Sequence, residues 1–141
     1  ASTEKKVSAG LREMSMELPV PGILESPFGV FESKIFSYKK QKIEEKKYTK
    51  WFDYDKIKNS PCVRTRRQGD YLTVNSEGGR KKLNRIFIDE KIPAEMRDRF
   101  PVVAVGSEIL WIPGGRMNEK YKITSTTGRV LELHYQGGAL A

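Results

Sequence analysis

The sequence predicts an α+β fold, in which a β-rich sandwich of mostly antiparallel strands carries two short inserted helices. Three observations support this prediction. Several short segments alternate apolar and polar residues and are separated by glycine and proline. Residues 102–112 form an apolar run that only Gly106-Ser107-Glu108 interrupts. Between residues 80 and 99 the apolar spacing changes from the period of a strand to that of a helix.

The first half of the chain is predicted to contain strands. Residues 11–18 alternate apolar and polar side chains, as a half-buried strand does, and the Pro-Val-Pro-Gly segment at 19–22 ends them in a turn. A second strand is predicted over 29–38, which is rich in Val, Phe and Ile. A third is predicted over 51–55, which contains Trp, Phe and Tyr.

A further strand is predicted over 62–67, and the helices follow it. Over residues 80–91, Leu83, Ile86 and Phe87 are spaced as on one helical face. Pro93 ends this helix because the residue before a proline is disfavoured in the α region. The same proline suits the first turn of a second short helix over 94–99.

The last part of the chain is again predicted to be strands. Residues 102–105 and 108–112 flank a two-residue Gly-Ser loop, the signature of a hairpin with a type II′ turn. Trp111 alternates within this hairpin, so we interpret it as a core residue rather than a platform for base stacking. Two more strands are predicted at 121–124 and 130–135.

The length of 141 residues favours one domain, which we place at 11–136, between a flexible end at 1–10 and a tail at 137–141. The single cysteine, Cys62, is incompatible with an intrachain disulfide and is interpreted as a small core residue. No apolar run approaches the roughly 20 residues of a membrane span, so no membrane partner and a cytoplasmic location are expected.

The charge of the chain points to polyanionic partners. The formal net charge is +8 and the isoelectric point is near 9.6, which favours nucleic acid. The cationic residues are concentrated at the end of the predicted strand 62–67 and at the start of the predicted helix 80–91. Guanidinium groups match phosphate oxygens, so we predict a surface that binds a nucleic-acid backbone. Its candidate residues are Arg64, Arg66, Arg67, Lys81, Lys82, Arg85, Arg97 and Arg116. The lysine-rich segment 39–50 is interpreted as a solvated loop, with a secondary RNA contact as the alternative.

Each candidate also has a structural interpretation. On a strand, Arg64 and Arg66 would share a face and Arg67 would point the other way. The arginines of one face can then reach RNA, while those of the other face form ion pairs inside the protein. The alternative to RNA contact is therefore an ion-pair turn that Gly69 and Asp70 form with the arginines. For the cations of the helix, the alternative is an ordinary solvated face.

No catalytic group of residues is evident. The only histidine, His134, has no partner of a triad beside it, and Asp53 with Asp55 offers too few ligands for a hard cation. The segment 76–81 contains two glycines and a lysine but lacks the spacing of a phosphate-binding loop. We therefore expect no enzyme activity, cofactor or metal in this chain by itself.

Eight motifs in order resemble one family, the bacterial tRNA(Ile)-lysidine synthetases, over the C-terminal region of those proteins. The match is firm over 50–125 and looser over 11–49. The motifs are FDYDKI at 52–57, RTRRQGD at 64–70, KKL at 81–83, DEKIP at 89–93, RDRFP at 97–101, ILWIP at 109–113, GR at 115–116 and YKIT at 121–124.

The resemblance implies a fold similar to a domain of the phenylalanyl-tRNA synthetase β subunit. It also implies that the parent protein uses ATP with Mg to attach lysine to the wobble cytidine of tRNA(Ile) with a CAU anticodon. That chemistry belongs to an N-terminal domain with an S-G-G-x-D-S fingerprint, which is absent here. This chain is then expected to be a C-terminal tRNA-binding domain, with the tRNA acceptor stem, its own catalytic domain and a second copy in a homodimer as partners. The alternative is a domain that packs on the catalytic domain or a dimer partner without binding RNA.

Overall fold

A computed structural model describes residues 15–43 and 46–137, and its strands form two sheets. The elements are β1 (Ser15–Glu17), β2 (Gly22–Ser26), β3 (Gly29–Ser37), β4 (Thr49–Asp53), β5 (Cys62–Arg64), β6 (Tyr71–Thr73), β7 (Arg80–Lys82), α1 (Leu83–Asp89), β8 (Val102–Val105), β9 (Glu108–Trp111) and β10 (Arg129–Gly137). Short 3₁₀ helices lie at Tyr54–Lys56, Ala94–Met96 and Glu119–Tyr121. The predicted β-rich α+β class is confirmed.

The strands are arranged as a six-stranded sheet, in the order β1-β5-β8-β9-β6-β7, and a four-stranded sheet, in the order β2-β3-β10-β4. Neighbouring strands are antiparallel, except that β6 pairs with β9 in parallel. The strand β7 lies at one edge of the six-stranded sheet, so its cationic side chains stand at the border of the molecule rather than over the core.

The six-stranded sheet is the middle layer and is covered on both faces. On one face Val103 and Leu110 pack in a cluster with Phe31 and Leu131 of the four-stranded sheet. On the other face the side chains of β8 and β9 pack against α1. All four residues of β8 are buried, which explains why the sequence there is a continuous apolar run rather than an alternation.

The helix α1 confirms the predicted apolar stripe, because Leu83, Ile86 and Phe87 are all buried. It begins three residues later than predicted, since 80–82 pair with β6 as the edge strand β7. The second predicted helix is a single 3₁₀ turn, Ala94–Met96, which follows Pro93.

The predicted hairpin at 102–112 is confirmed. Gly106 has a φ of +64°, as the first loop position of a type II′ turn requires, and residues with a side chain rarely adopt that angle. Trp111 is fully buried and packs 6.4 Å from Phe52 between ring centroids, so its interpretation as a core residue is confirmed.

Several strand boundaries differ from the prediction. The strand predicted over 62–67 ends at Arg64, and the segment 121–124 is not a strand because a 3₁₀ turn occupies its start. The strands β2 and β6 were not predicted. The strand predicted over 11–18 is seen from Ser15, and residues 11–14 lie outside the described residues, as do 1–10 and 138–141.

Candidate nucleic-acid interface

Arg64, the first predicted phosphate ligand, lies in the interior. Its side chain is 1% exposed, and its guanidinium forms a bidentate ion pair with Asp70, whose side chain is 2% exposed. Both N–O distances are 2.8 Å. The same guanidinium donates to the carbonyl oxygens of Thr65 and Gly106 at 2.9 and 2.8 Å. The placement of Arg64 on an RNA-facing surface is therefore corrected: its partners are internal.

The Asp70 carboxylate also organises the turn that follows β5. It accepts a hydrogen bond from the backbone N–H of Arg67 at 2.7 Å, while the backbone N–H of Asp70 donates to the Arg67 carbonyl. Gly69 has a φ of +92°, in agreement with the predicted turn. Burial alone would lower the pKa of Arg64, but the hydrogen bonds and charge of Asp70 outweigh it and hold that pKa above its ordinary value.

Arg66 and Arg67, the other two arginines of the turn, lie at the surface in different states. Arg66 is half-buried and donates to Asp98 Oδ1 and to Asn84 Oδ1, both at 2.9 Å. It therefore ties the turn to α1 and to the segment after the 3₁₀ helix at Ala94–Met96. Arg67 is exposed, and its guanidinium has no ion pair within the described residues.

Two predicted cations form ion pairs with one carboxylate at the helix-facing side of the sheet edge, and a third acts on it through its charge. Lys81 Nζ lies 2.9 Å from Asp89 Oδ2, and Arg85 Nε lies 3.4 Å from Asp89 Oδ1. Arg116 is close enough to act on the same carboxylate. The hydrogen bond from Lys81, followed by the charges of Lys81, Arg85 and Arg116, lowers the pKa of Asp89. We call Lys81, Arg85, Asp89 and Arg116 the Asp89 cluster.

The Asp89 cluster draws its members from three parts of the chain. Lys81 belongs to β7, and Arg85 and Asp89 stand one turn apart on α1. Arg116 is held in the loop after β9, where its Nη2 donates to the Val74 carbonyl at 3.1 Å. Three cationic groups share a single carboxylate, so the cluster keeps a positive charge that can attract phosphate.

Lys82 points to the opposite face of β7 from Lys81, because side chains alternate along a strand. It pairs across the ladder with Tyr71, and Arg80, on the same face, lies 4.5 Å from the centre of the Tyr71 ring. Sequence reasoning missed Arg80, because a strand of three residues shows no clear alternation; once β7 is known, strand geometry places Arg80 on the same face as Lys82.

A groove of about 240 Å³ adjoins this opposite face, with Tyr71 in its lining. Its cationic lining residues are Lys56, Lys58 and Lys120. Lys120 Nζ lies 3.5 Å from Glu108, which also accepts a hydrogen bond from the Tyr121 hydroxyl. Burial, followed by this hydrogen bond and the charge of Glu108, raises the pKa of Tyr121. Of the predicted phosphate-binding residues, Lys82 lies on this face of β7, whereas Lys81, Arg85 and Arg116 belong to the Asp89 cluster.

The structure thus brings together some of the predicted residues and separates others. Arg97 is half-buried and donates to the Ile92 carbonyl at 2.9 Å, so it stabilises the segment that precedes it.

His134 is exposed, with Nδ1 2.7 Å from the Thr49 hydroxyl. Asp53 accepts from Thr127, and Asp55 pairs with Arg129, so these two carboxylates have separate partners. None of the helices in the described ranges is long and apolar enough to cross a membrane.

Comparison with known proteins places this chain in a family. Residues 62–133 match the model of the TilS substrate C-terminal domain. A tRNA(Ile)-lysidine synthase of Caldanaerobacter subterraneus subsp. tengcongensis is 50% identical over 88 residues, which are 62% of this chain and 19% of that protein. One of Clostridium perfringens is 38% identical over 110 residues, which are 77% of this chain and 23% of that protein.

A solved structure agrees with these matches. The crystal structure of a TilS C-terminal domain superposes with a TM-score of 0.74 at 33% identity, covering 88% of this chain and 96% of that chain. The chain spans about a fifth of the length of the curated relatives named above. With a family model over half of its residues and a matching fold, the chain belongs to the TilS substrate C-terminal domain family.

Proposed function

We propose that this chain is the tRNA-binding C-terminal domain of a tRNA(Ile)-lysidine synthase and that it holds the acceptor stem of tRNA(Ile). In this proposal the parent protein attaches lysine to the wobble cytidine with ATP and Mg, and that chemistry belongs to a separate N-terminal catalytic domain. The relatives that carry this domain are tRNA(Ile)-lysidine synthases, which supports tRNA(Ile) as the substrate.

The observation that carries the proposal is the Asp89 cluster. Lys81 and Arg85 form ion pairs with one carboxylate, and Arg116 acts on it through its charge, at a sheet edge where a duplex can approach without meeting the core. Arg85 is 67% exposed, so its guanidinium can turn from Asp89 to a phosphate at little cost. Arg67, exposed at the turn after β5, is a further candidate contact.

Contacts of this kind fit an A-form stem. Side chains cannot read the deep major groove of duplex RNA, so proteins bind such stems through shape, phosphates and 2′-hydroxyls. Phosphate contacts fix orientation and carry little sequence information. The domain would therefore position the tRNA, and the anticodon would be selected by the catalytic domain. The catalytic domain of the same protein, and a second copy in a homodimer, are further proposed partners in the cytoplasm.

The test is binding of the full chain to a tRNA(Ile) transcript and to its acceptor-stem minihelix at two salt concentrations. The wild type should bind both RNAs. The double variant Arg85→Gln with Arg116→Gln should weaken binding on the order of ten-fold and reduce the salt slope by about one unit per lost phosphate contact. Thermal unfolding shows whether this double variant remains folded.

A charge-matched control is available on the other sheet. Lys34 and Lys39 are exposed on β3 and just after it, away from the Asp89 cluster, and their double change to glutamine removes the same charge. This control should leave affinity nearly unchanged. Equal losses in both double variants would indicate a diffuse effect of net charge and contradict the proposed surface. Absence of RNA binding by the wild type, with tight binding to the catalytic domain, would support the packing alternative instead.

A further inference from the structure

A pocket next to the Asp89 cluster has a different chemistry from the cluster itself. Its volume is about 340 Å³, within the range of small-molecule sites. It is lined by residues from five places in the chain: Tyr48 before β4, Glu90 at the end of α1, Phe100 before β8, Gly114-Gly115 after β9, and Tyr135 of β10. Because Glu90 follows Asp89 and Arg116 follows Gly115, the pocket and the cluster share a helix end and a loop.

Tyr48 gives this pocket an exposed aromatic surface. The residue is 42% exposed, although large apolar side chains are usually covered. Its ring centroid lies 6.2 Å from that of Tyr135, with the rings tilted by 46°, and Lys47 Nζ lies 5.5 Å from the ring. A flat ring beside a cation is the arrangement on which nucleic-acid bases stack in proteins that bind single strands.

Gly114 lets the Tyr48 ring lie directly against the backbone. Its φ is +82°, which favours glycine, and a Cβ there would come within 2.9 Å of Tyr48 Cε1. A side chain at this position would push the ring from its place. The glycine therefore keeps the aromatic wall and the open volume beside it.

Glu90 is the acidic residue in the lining of the pocket. Its carboxylate lies about 3.4 Å from where a Cβ of Gly115 would stand. Lys47 also lines the pocket, but within the described residues Glu90 forms no ion pair with it or with the cations of the Asp89 cluster. A carboxylate repels phosphate, but it accepts hydrogen bonds from exocyclic amino groups such as N4 of cytosine. The pocket is therefore suited to the edge of a base, while the neighbouring cations are suited to the backbone.

We propose that this pocket receives an unpaired base that carries an exocyclic amino group, namely adenine, cytosine or guanine, at the single-stranded end of an RNA duplex whose phosphates lie on the Asp89 cluster. Tyr48 stacks on the base, and the Glu90 carboxylate accepts a hydrogen bond from the amino group of the base. This inference rests on the proposed function, since the duplex must first lie on the cluster. It adds a base-specific contact to a surface that otherwise binds backbone.

The test uses the full chain and three labelled RNA hairpins with one duplex: a blunt end, a 3′ extension of cytosine and adenine, and a 3′ extension of uracil. The wild type should bind the cytosine–adenine extension about five-fold or more tighter than the blunt hairpin. Tyr48→Leu should remove this gain and leave blunt-end affinity unchanged, whereas Tyr48→Phe should keep it. Glu90→Gln should reduce the preference over uracil.

Tyr38→Leu, at the opposite end of the four-stranded sheet, is the matched control and should change nothing. Equal binding of all three hairpins by the wild type and by Tyr48→Leu would overturn the inference and leave the proposed function intact. Failure of the wild type to bind any hairpin would instead contradict the proposed function. A Tyr48→Leu variant that keeps every RNA affinity but loses self-association in sedimentation would assign the pocket to protein contact and also overturn the inference.

Discussion

Replacing Asp70 with asparagine should destabilise the fold by about 3 kcal/mol, because it leaves the buried charge of Arg64 without its counter-ion. Removing one partner of a buried ion pair typically costs 3–5 kcal/mol. The lower end applies here for two reasons. Asparagine still offers one oxygen as an acceptor, and the carbonyls of Thr65 and Gly106 continue to accept from the guanidinium.

Urea unfolding followed by circular dichroism measures this free energy. The matched control is Asp98→Asn, since Asp98 also pairs with an arginine but its side chain is 52% exposed. That change should cost less than about 1 kcal/mol. A double change of Arg64→Met with Asp70→Leu should recover much of the loss, because no charge remains buried. If Asp70→Asn cost no more than Asp98→Asn, the reasoning that makes the pair structural would be refuted.

Two further predictions concern Asp89. Asp89→Asn should raise affinity for the acceptor-stem minihelix about five-fold and steepen its salt dependence, because it removes the one carboxylate among three cations; unchanged binding would contradict the cluster. In an NMR titration the Asp89 carboxyl should have a midpoint below the ordinary 3.8, since Lys81 lowers its pKa. The ion pair thus stabilises the fold above the ordinary pKa and is lost as pH falls through the lowered one. Lys81→Met should shift the midpoint upward.

The elements that the sequence predicts well are those that depend on nearby residues. The stripe of Leu83, Ile86 and Phe87 and the Gly106 hairpin are each contained in about a dozen residues, so period and turn chemistry identify them. The strand β7 was merged with the helix because three residues are too few to show alternation before the helical period begins. The strand β6 is equally short and was not predicted.

The candidate site could be predicted in composition but not in arrangement. The alternation argument named Asp70 as an internal partner, but it placed Arg64 and Arg66 on one face, whereas the structure buries Arg64 and leaves Arg66 with Arg67 at the surface. It could not show that β5 ends at Arg64 or that the Gly106 carbonyl, 42 residues along the chain, completes the enclosure of that guanidinium. The influence of Arg116 on Asp89 likewise depends on how the loop after β9 returns beside α1, which no local pattern in the sequence shows.

The buried Arg64 and the surface cations of the Asp89 cluster are connected through the turn after β5 and through α1. Arg64 fixes the turn after β5 through Asp70, and Arg66, two residues on, braces that turn against Asn84 of α1. The same helix carries Arg85 and Asp89, so the buried pair of Arg64 and Asp70 helps to fix the position of the Asp89 cluster from the interior. Because Asp89 already engages those cations, a phosphate must compete with it, and each contact contributes little. In the proposed function, weak and salt-sensitive contacts on a rigid frame would orient a duplex without selecting it, and the proposed base pocket beside them would supply the selectivity that they lack.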